Sequence, residues 1–356
     1  MRVEVIEPHG FCSGVRAAVE MARHALSVHG EVWCLHELVH NGAVVDELRK
    51  KGMRFVESLE EVPEGGVVLF SAHGVAPCVR AQAAARGLKV IDATCPFVAR
   101  AHRQVREFSE RGVPVVVVGN AEHVEVVGLV GEYKEFKVVK WFKVVKEFKV
   151  IKESKVVKGS KEFKVVKGFK GSKEFKGSKE FKVSNDLNDP KDLKDPNDPK
   201  DLKDPKDLKV VKDAAAVGDL PFPEEGPVGV VCQTTLSSGT VQDVLSALRA
   251  RYPHLRESPA SDTCTATRDR QRAVGDFVRA GDPSATGVLV IGSANSSNTA
   301  RLVEIAREAG ATAWRVDGPN ELSSCDFAGI KRLGLTAGAS TPEAIVSDIA
   351  ARLGCI

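Results

Sequence analysis

Strand-like runs recur along this chain, and most are followed at once by a helical pattern. The strand-like runs include "MRVEVIE", "GGVVLFSA", "LKVIDAT", "VPVVVVG", "PVGVVCQT", "GVLVIGS" and "IKRLGLTAG". The helical patterns are "VRAAVEMARHALSVHG", "NGAVVDELRKKG", "APCVRAQAAARG", "VARAHRQVREFSERG", "TVQDVLSALRARY", "NTARLVEIAREAG" and "TPEAIVSDIAARLG". Such alternation constrains a fold strongly, because successive strands then pair in parallel while the helices cover the sheet. It predicts an α/β protein with parallel sheets. Ligands of such sheets bind beyond the carboxyl ends of the strands, where N–H groups at helix starts are free.

One segment breaks the pattern. Lysine recurs at every third position from Lys134 to Lys182, and aspartate at every third position from Asp186 to Asp207. A period of three fits neither a helix at 3.6 nor a strand at 2. Residues 134–212 hold 24 Lys, no Arg and 14 acidic residues, whereas the rest of the chain has four Lys against 23 Arg. The net charge of +3 therefore conceals a balance of +10 in this segment and −7 elsewhere. We read it as a low-complexity insert carried on the surface, with no nucleic-acid partner. A polybasic tether would instead require steeply salt-dependent binding.

Length, at 356 residues, suits two or three domains. No apolar run approaches the roughly 20 residues that span a bilayer, and the start lacks a basic stretch followed by an apolar one. A cytoplasmic protein without a membrane partner is the expectation. The eight cysteines lie far apart, unlike the dense framework of a small secreted domain, which favours reduced thiols or metal ligands over disulfides.

The residues able to do chemistry gather at the strand-to-helix junctions. They are Cys12 in "GFCSGV", His40 in "ELVHNG", His73 in "FSAHGV", Cys95 in "DATCPFV", and His123 with Glu125 in "GNAEHVEVVG". Further along come Thr234 in "CQTTLS", Cys264 in "SDTCTAT", Ser296, Ser297 and Asn298 in "GSANSSN", and Ser340 in "TAGASTP". A lone buried cysteine is usually a packing residue, and Cys34, Cys78, Cys232, Cys325 and Cys355 are read that way. Cys12, Cys95 and Cys264 differ in lying at turns, one in each third of the globular chain. Three thiolates converging from separate lobes suit an iron–sulfur cluster or zinc. The histidines, hydroxyls and amide supply donors without a GxxxxGKS loop, a combination suited to a diphosphate. Glu125 reads either as a surface carboxylate or, if buried, as a general acid.

Together, "GFCSGV", "HELVHN", "FSAHGV", "DATCP", "HVEVVG", "QTTLS", "GSANSSN" and "TAGAS", in this order, resemble the 4-hydroxy-3-methylbut-2-enyl diphosphate reductases, which close the methylerythritol phosphate route to isoprenoids. The resemblance covers everything except residues 134–212. It implies three pseudo-equivalent α/β lobes with parallel sheets around a central 4Fe–4S cluster held by Cys12, Cys95 and Cys264. We divide the chain into residues 1–95, with the N-terminal strand, residues 96–260, interrupted by the insert, and residues 261–356. The resemblance further implies Glu125 as the proton-delivering carboxylate, with Thr234 beside the substrate hydroxyl. It assigns His40, His73, His123, Ser296, Ser297, Asn298 and Ser340 to the diphosphate, and a ferredoxin or flavodoxin to electron delivery. An inactive paralogue keeping the cluster as a redox sensor would be expected to have lost Glu125 or the histidines. Two departures stand out. The proline usual after the first histidine of the family's "HPEVxG" motif is Val124 here, which predicts a looser turn at Glu125. The insert also enters a few residues after that motif, and we expect the lobe to tolerate it, since loop-closure cost grows only logarithmically with length.

Overall fold

The computed structural model describes residues 1–133, 207–257 and 263–354. Most of the insert, residues 134–206, lies outside the described residues, as does Cys355. Among the described residues there are three four-stranded sheets, and every strand pairing is parallel. The first has the order β3-β2-β4-β5, from β2 (Val32–Leu35), β3 (Met53–Val56), β4 (Val67–Phe70) and β5 (Lys89–Asp92). The second has the order β7-β6-β8-β9, from β6 (Val115–Val118), β7 (Leu208–Val211), β8 (Val228–Cys232) and β9 (Leu255–Arg256). The third has the order β1-β12-β10-β11, from β1 (Arg2–Val5), β10 (Thr286–Ile291), β11 (Thr312–Val316) and β12 (Arg332–Ala337). The helices are α1 (Ser13–His29), α2 (Gly42–Lys50), α3 (Pro77–Ala85), α4 (Pro96–Glu110), α5 (residues 124–133), α6 (Ser238–Arg251), α7 (Thr265–Arg279), α8 (Ser297–Glu308) and α9 (Glu343–Arg352).

Counted within its own lobe, each sheet has the strand order 2-1-3-4. The third lobe reaches this order only because β1, from the other end of the chain, supplies its fourth strand. This corrects the expectation that the N-terminal strand belongs with residues 1–95. The physical reason is pairing. Segment 286–337 builds three strands, and Arg2–Val5 lies in register with Arg332–Leu335 along the otherwise open edge of β12.

A second correction concerns the insert. Its predicted end at residue 212 is too late, because Leu208–Val211 forms β7 and pairs with Val115–Val118. Leu208 and Val211 are buried. The last repeat unit keeps the every-third-position lysine but adds apolar, β-branched residues that suit a buried sheet.

The run "VVVV" at β6 shows why the second lobe is robust. Val115 and Val117 pack on Ala101, Val105 and Phe108 of α4 and on Val126, Leu129 and Tyr133 of α5. Val116 and Val118 face the other way, onto Val241, Val244, Leu245 and Leu248 of α6. Each such valine gains about 1.5–3 kcal/mol from burial. Helix α5 is therefore anchored by its own apolar face up to the point where the insert begins. No helix among the described residues is long and apolar enough to cross a membrane.

Candidate functional site

In all three lobes the fourth strand leads to a cysteine that caps a helix. Cys12 is the N-cap of α1, Cys95 of α4 and Cys264 of α7. Their backbones are held by one repeated bond. The N–H of each cysteine donates to the carbonyl two residues beyond the end of its lobe's third strand: Cys12 to Ala339 at 3.1 Å, Cys95 to Ala72 at 3.0 Å and Cys264 to Thr234 at 3.2 Å. Cys12 Sγ accepts from the Val15 N–H, and Cys264 Sγ from the Thr267 N–H, each at 3.4 Å. Helix N-termini favour a thiolate, since their free N–H groups and dipole present positive charge.

The Cys95 thiol lies in the fields of Cys12 and Cys264 and against the first turn of α1. A side chain on Gly14, in the first turn of α1, would start 2.5 Å from Cys95 Sγ, so this position admits only glycine if the two lobes are to meet there. Gly10, two residues before Cys12, has φ +67°, a left-handed turn that glycine adopts without strain. Burial pushes the Cys95 thiol above its ordinary value, partly offset by the Phe97 and Val98 N–H groups, and the charges of Cys12 and Cys264 push it further up. Burial likewise raises Cys264, with Thr267 opposing and Cys12 and Glu125 adding. Among the described residues no three His, Cys, Asp or Glu side chains are grouped as the ligands of a metal ion would be. The convergence of the cysteines rests instead on the Gly14–Cys95 approach, the backbone bonds and their mutual fields.

Glu125 sits on the first turn of α5 and is 1% exposed. Thr234 serves both its oxygens: the backbone N–H donates to Oε1 at 2.8 Å and the hydroxyl to Oε2 at 3.0 Å. Because the Thr234 carbonyl also accepts from the Cys264 N–H, one residue links the carboxyl to a cysteine turn. Burial raises the Glu125 pKa to about 7 despite the two Thr234 bonds, which pull it down. Val124 opens α5, where proline is tolerated but not required, and the His123 ring Nδ1 accepts from the Glu125 N–H at 3.2 Å.

Three histidines from three strand ends form one cluster. His40 stacks on His73 with ring centroids 4.4 Å apart, and His123 meets both edge-on at 5.7 and 5.9 Å. Burial, reinforced by His40, lowers the His123 pKa to about 4. Burial followed by His40, His123 and His36 lowers His73 well below the ordinary range. His40 Nε2 is buried without a partner among the described residues. The Ser340 hydroxyl donates to the His40 carbonyl at 3.0 Å, joining the third lobe to this cluster. Ser296 caps α8, accepting from the Thr299 N–H at 3.3 Å. Ser297 is the first residue of α8 and is half-buried. Asn298 is 3% exposed, yet neither amide atom has a partner among the described residues.

The sequence reading left out three further features. Gln233 accepts from the Asn120 N–H at 3.0 Å, tying the turn after β6 to that after β8. His102 Nδ1 meets Glu132 at 2.9 Å, and Arg106 donates to the same carboxylate at 2.6 Å, which clamps α5 to α4. Arg270 is buried on α7 beside the cysteine turns. A signal for Arg270 existed. It occupies the buried stripe Thr267, Arg270, Gln271, Val274, Gly275, Val278, whose helical spacing is plain once polar residues are admitted to it.

The LytB protein family model matches residues 3–354. "4-hydroxy-3-methylbut-2-enyl diphosphate reductase 2" of Burkholderia mallei is 34% identical over 348 residues, covering 98% of this chain and 84% of the relative. "4-hydroxy-3-methylbut-2-enyl diphosphate reductase 1" of Mycobacterium bovis is 35% identical over 354 residues, covering 99% and 83%. Among solved structures, the E-1-hydroxy-2-methyl-but-2-enyl-4-diphosphate reductase of Plasmodium falciparum superposes with a TM-score of 0.75 at 25% identity, covering 99% of this chain and 87% of that one. An (E)-4-hydroxy-3-methyl-but-2-enyl diphosphate reductase, described as the terminal enzyme of the non-mevalonate pathway, gives a TM-score of 0.59 at 27% identity with both chains fully covered. With the family model matching residues 3–354 and relatives 34% and 35% identical over nearly the whole chain, the chain belongs to the LytB family.

Proposed function

We propose that this chain catalyses the reductive dehydration of 4-hydroxy-3-methylbut-2-enyl diphosphate to isopentenyl and dimethylallyl diphosphate. The observation that carries the reading is Glu125: a buried, protonatable carboxyl bonded at both oxygens to Thr234, whose carbonyl also holds the Cys264 turn. Substrate, two electrons and two protons yield one product molecule and water. The allylic C–O bond breaks, the hydroxyl leaves with a proton, and a C–H bond forms.

The donor set fits an iron–sulfur cluster: three cysteines cap three helix N-termini, and Cys12 and Cys264 act electrostatically on Cys95. A 4Fe–4S cluster held by Cys12, Cys95 and Cys264 would supply the electrons and a Lewis-acidic iron for the departing hydroxyl. Glu125 holds the proton for that hydroxyl, and the Thr234 hydroxyl steers it. His40, His73, His123, Ser296, Asn298 and Ser340 take the diphosphate, with Ser297 at the margin. The unpaired atoms of His40 and Asn298 are the groups a ligand would satisfy, because buried polar atoms otherwise find partners. An anion there also favours protonation of the histidines. The three lobes, divided near residues 95 and 260, close around the substrate and keep water from the reaction. The electrons come from a ferredoxin or flavodoxin.

Anaerobic turnover tests this. Cluster-loaded full-length protein is mixed with reduced viologen dye and 4-hydroxy-3-methylbut-2-enyl diphosphate. Dye oxidation that depends on substrate, yields the two C5 diphosphates and drops about 10²–10⁴-fold in Glu125→Gln supports the reading. A loaded protein that leaves the dye reduced refutes it.

A further inference from the structure

Arg270 lies on α7 and is 4% exposed, and its described hydrogen bonds reach neutral oxygens only. One terminal nitrogen donates to the Ala266 carbonyl at 2.9 Å. The other donates to the Gly10 carbonyl at 2.7 Å and more weakly to the His9 carbonyl at 3.4 Å. Its Nε–H is buried with no partner among the described residues. A guanidinium in such a place is costly unless negative charge lies near it. Burial pushes it below its ordinary value, while Cys12 and Cys264 are the foremost groups favouring its charge, ahead of Asp269 and Glu7. The same side chain thus grips the Gly10 turn that delivers Cys12 and lies in the field of two of the three thiols.

Building on the cluster reading above, we infer that Arg270 is a positioning residue that offsets the negative charge of the iron–sulfur group and sets its reduction potential. Thiolates bring negative charge into a poorly screened interior, and each electron added brings more. A fixed cation nearby stabilises the reduced form over the oxidised one. The free Nε–H is a donor left for an acceptor that the bound group would bring, since buried donors are seldom unpaired. Helix α7 joins the two roles: Cys264 caps it, and Arg270, less than two turns later, reaches across to the Cys12 turn.

The test is an anaerobic redox titration of the full-length, cluster-loaded chain followed by electron paramagnetic resonance, with iron and sulfide counted per polypeptide. Arg270→Gln removes the charge and keeps much of the side-chain volume, while Arg270→Lys keeps the charge and loses the fork. Arg270→Gln is expected to move the midpoint to more negative potential, on the order of tenfold in the oxidised-to-reduced equilibrium, or about 59 mV for one electron. Arg270→Lys should stay near the parent. If Arg270→Gln keeps too little cluster to titrate, retention in Arg270→Lys supports the charge role, and equal loss in both overturns it. Parental potentials in a fully loaded Arg270→Gln would also overturn it, leaving the cluster reading intact. A parent chain with no iron–sulfur spectrum would overturn both together.

Discussion

At Glu125 burial outweighs two hydrogen bonds from Thr234, so the carboxyl titrates at about 7 and carries its proton below that. A proton donor of this kind is lost as pH rises, and kcat should therefore fall through about pH 7 in the parent. Steady-state rates across pH, with the cluster content checked at each point, measure this. In the histidine cluster burial again favours the neutral form, which here lowers the pKa. Burial and His40 hold His123 near 4, so its ring is neutral at pH 6 in the empty site, and a diphosphate raises its pKa by favouring the cation. Calorimetry with inorganic pyrophosphate in buffers of different ionisation enthalpy should show proton uptake on binding, and tighter binding at pH 6 than at pH 8. Asn298→Ala should weaken that binding by about 1–3 kcal/mol with little effect on the protein's own stability, because its amide has no partner among the described residues to lose. The residues named here were legible as types at turns. Their environments were not: a carboxyl two positions after a histidine gives no hint that Thr234, over a hundred residues later, will bond both its oxygens.

Short strands and amphipathic helices build the frame, and their packing sets what each can tolerate. Gly229 in β8 lies under Phe108 of α4, and a side chain there would start 2.6 Å from the ring. Gly229→Val should overpack the second lobe at a cost of about 1–3 kcal/mol, read as a lowered Tm with unchanged cysteine content. The strand-and-helix alternation foretold α1 to α4, α6, α8, α9 and seven of the strands. It passed over β2, β3, β9 and β11, and it left β7 inside the insert; β3 and β11 carry an arginine and β9 has only two residues, so none of these three stands out as an apolar run. It also passed over α7, whose buried stripe contains Arg270 and Gln271 and so does not read as apolar. Helix α5 escaped notice because "HVEVVGLVGEY" reads as a motif before it reads as a helix, although Val126, Leu129, Val130 and Tyr133 form a clear buried face.

Across the described residues, three lobes of one strand order place polar residues and cysteines at equivalent positions. The first and third strands of each lobe end in the polar residues: His40 and His73, His123 with Glu125 and Thr234, and Ser296 to Asn298 with Ser340. The fourth strand of each ends in a cysteine at a helix N-cap. The first and third strands flank the point where strand order reverses, which is where open α/β sheets bind ligands. This repetition was half-visible in the placing of one turn cysteine in each third of the globular chain. It was obscured because β1 serves the third lobe and because a period-three segment separates β6 from β7. A chain lacking residues 134–206, with a short Gly/Ser link, should fold and turn over. One lacking residues 134–212 loses β7, and with it the buried Leu208 and Val211, at about 1.5–3 kcal/mol each. Circular dichroism melts and the dye assay on the two chains distinguish these cases. The most direct test of the convergence itself is the iron and acid-labile sulfide bound by Cys12→Ser, Cys95→Ser and Cys264→Ser, purified anaerobically beside the parent and Cys325→Ser. Loss of cluster in each of the first three, with Cys325→Ser at parental content, is the expected result. Parental iron and sulfide in any one of the three would contradict a single group held in common by all three lobes.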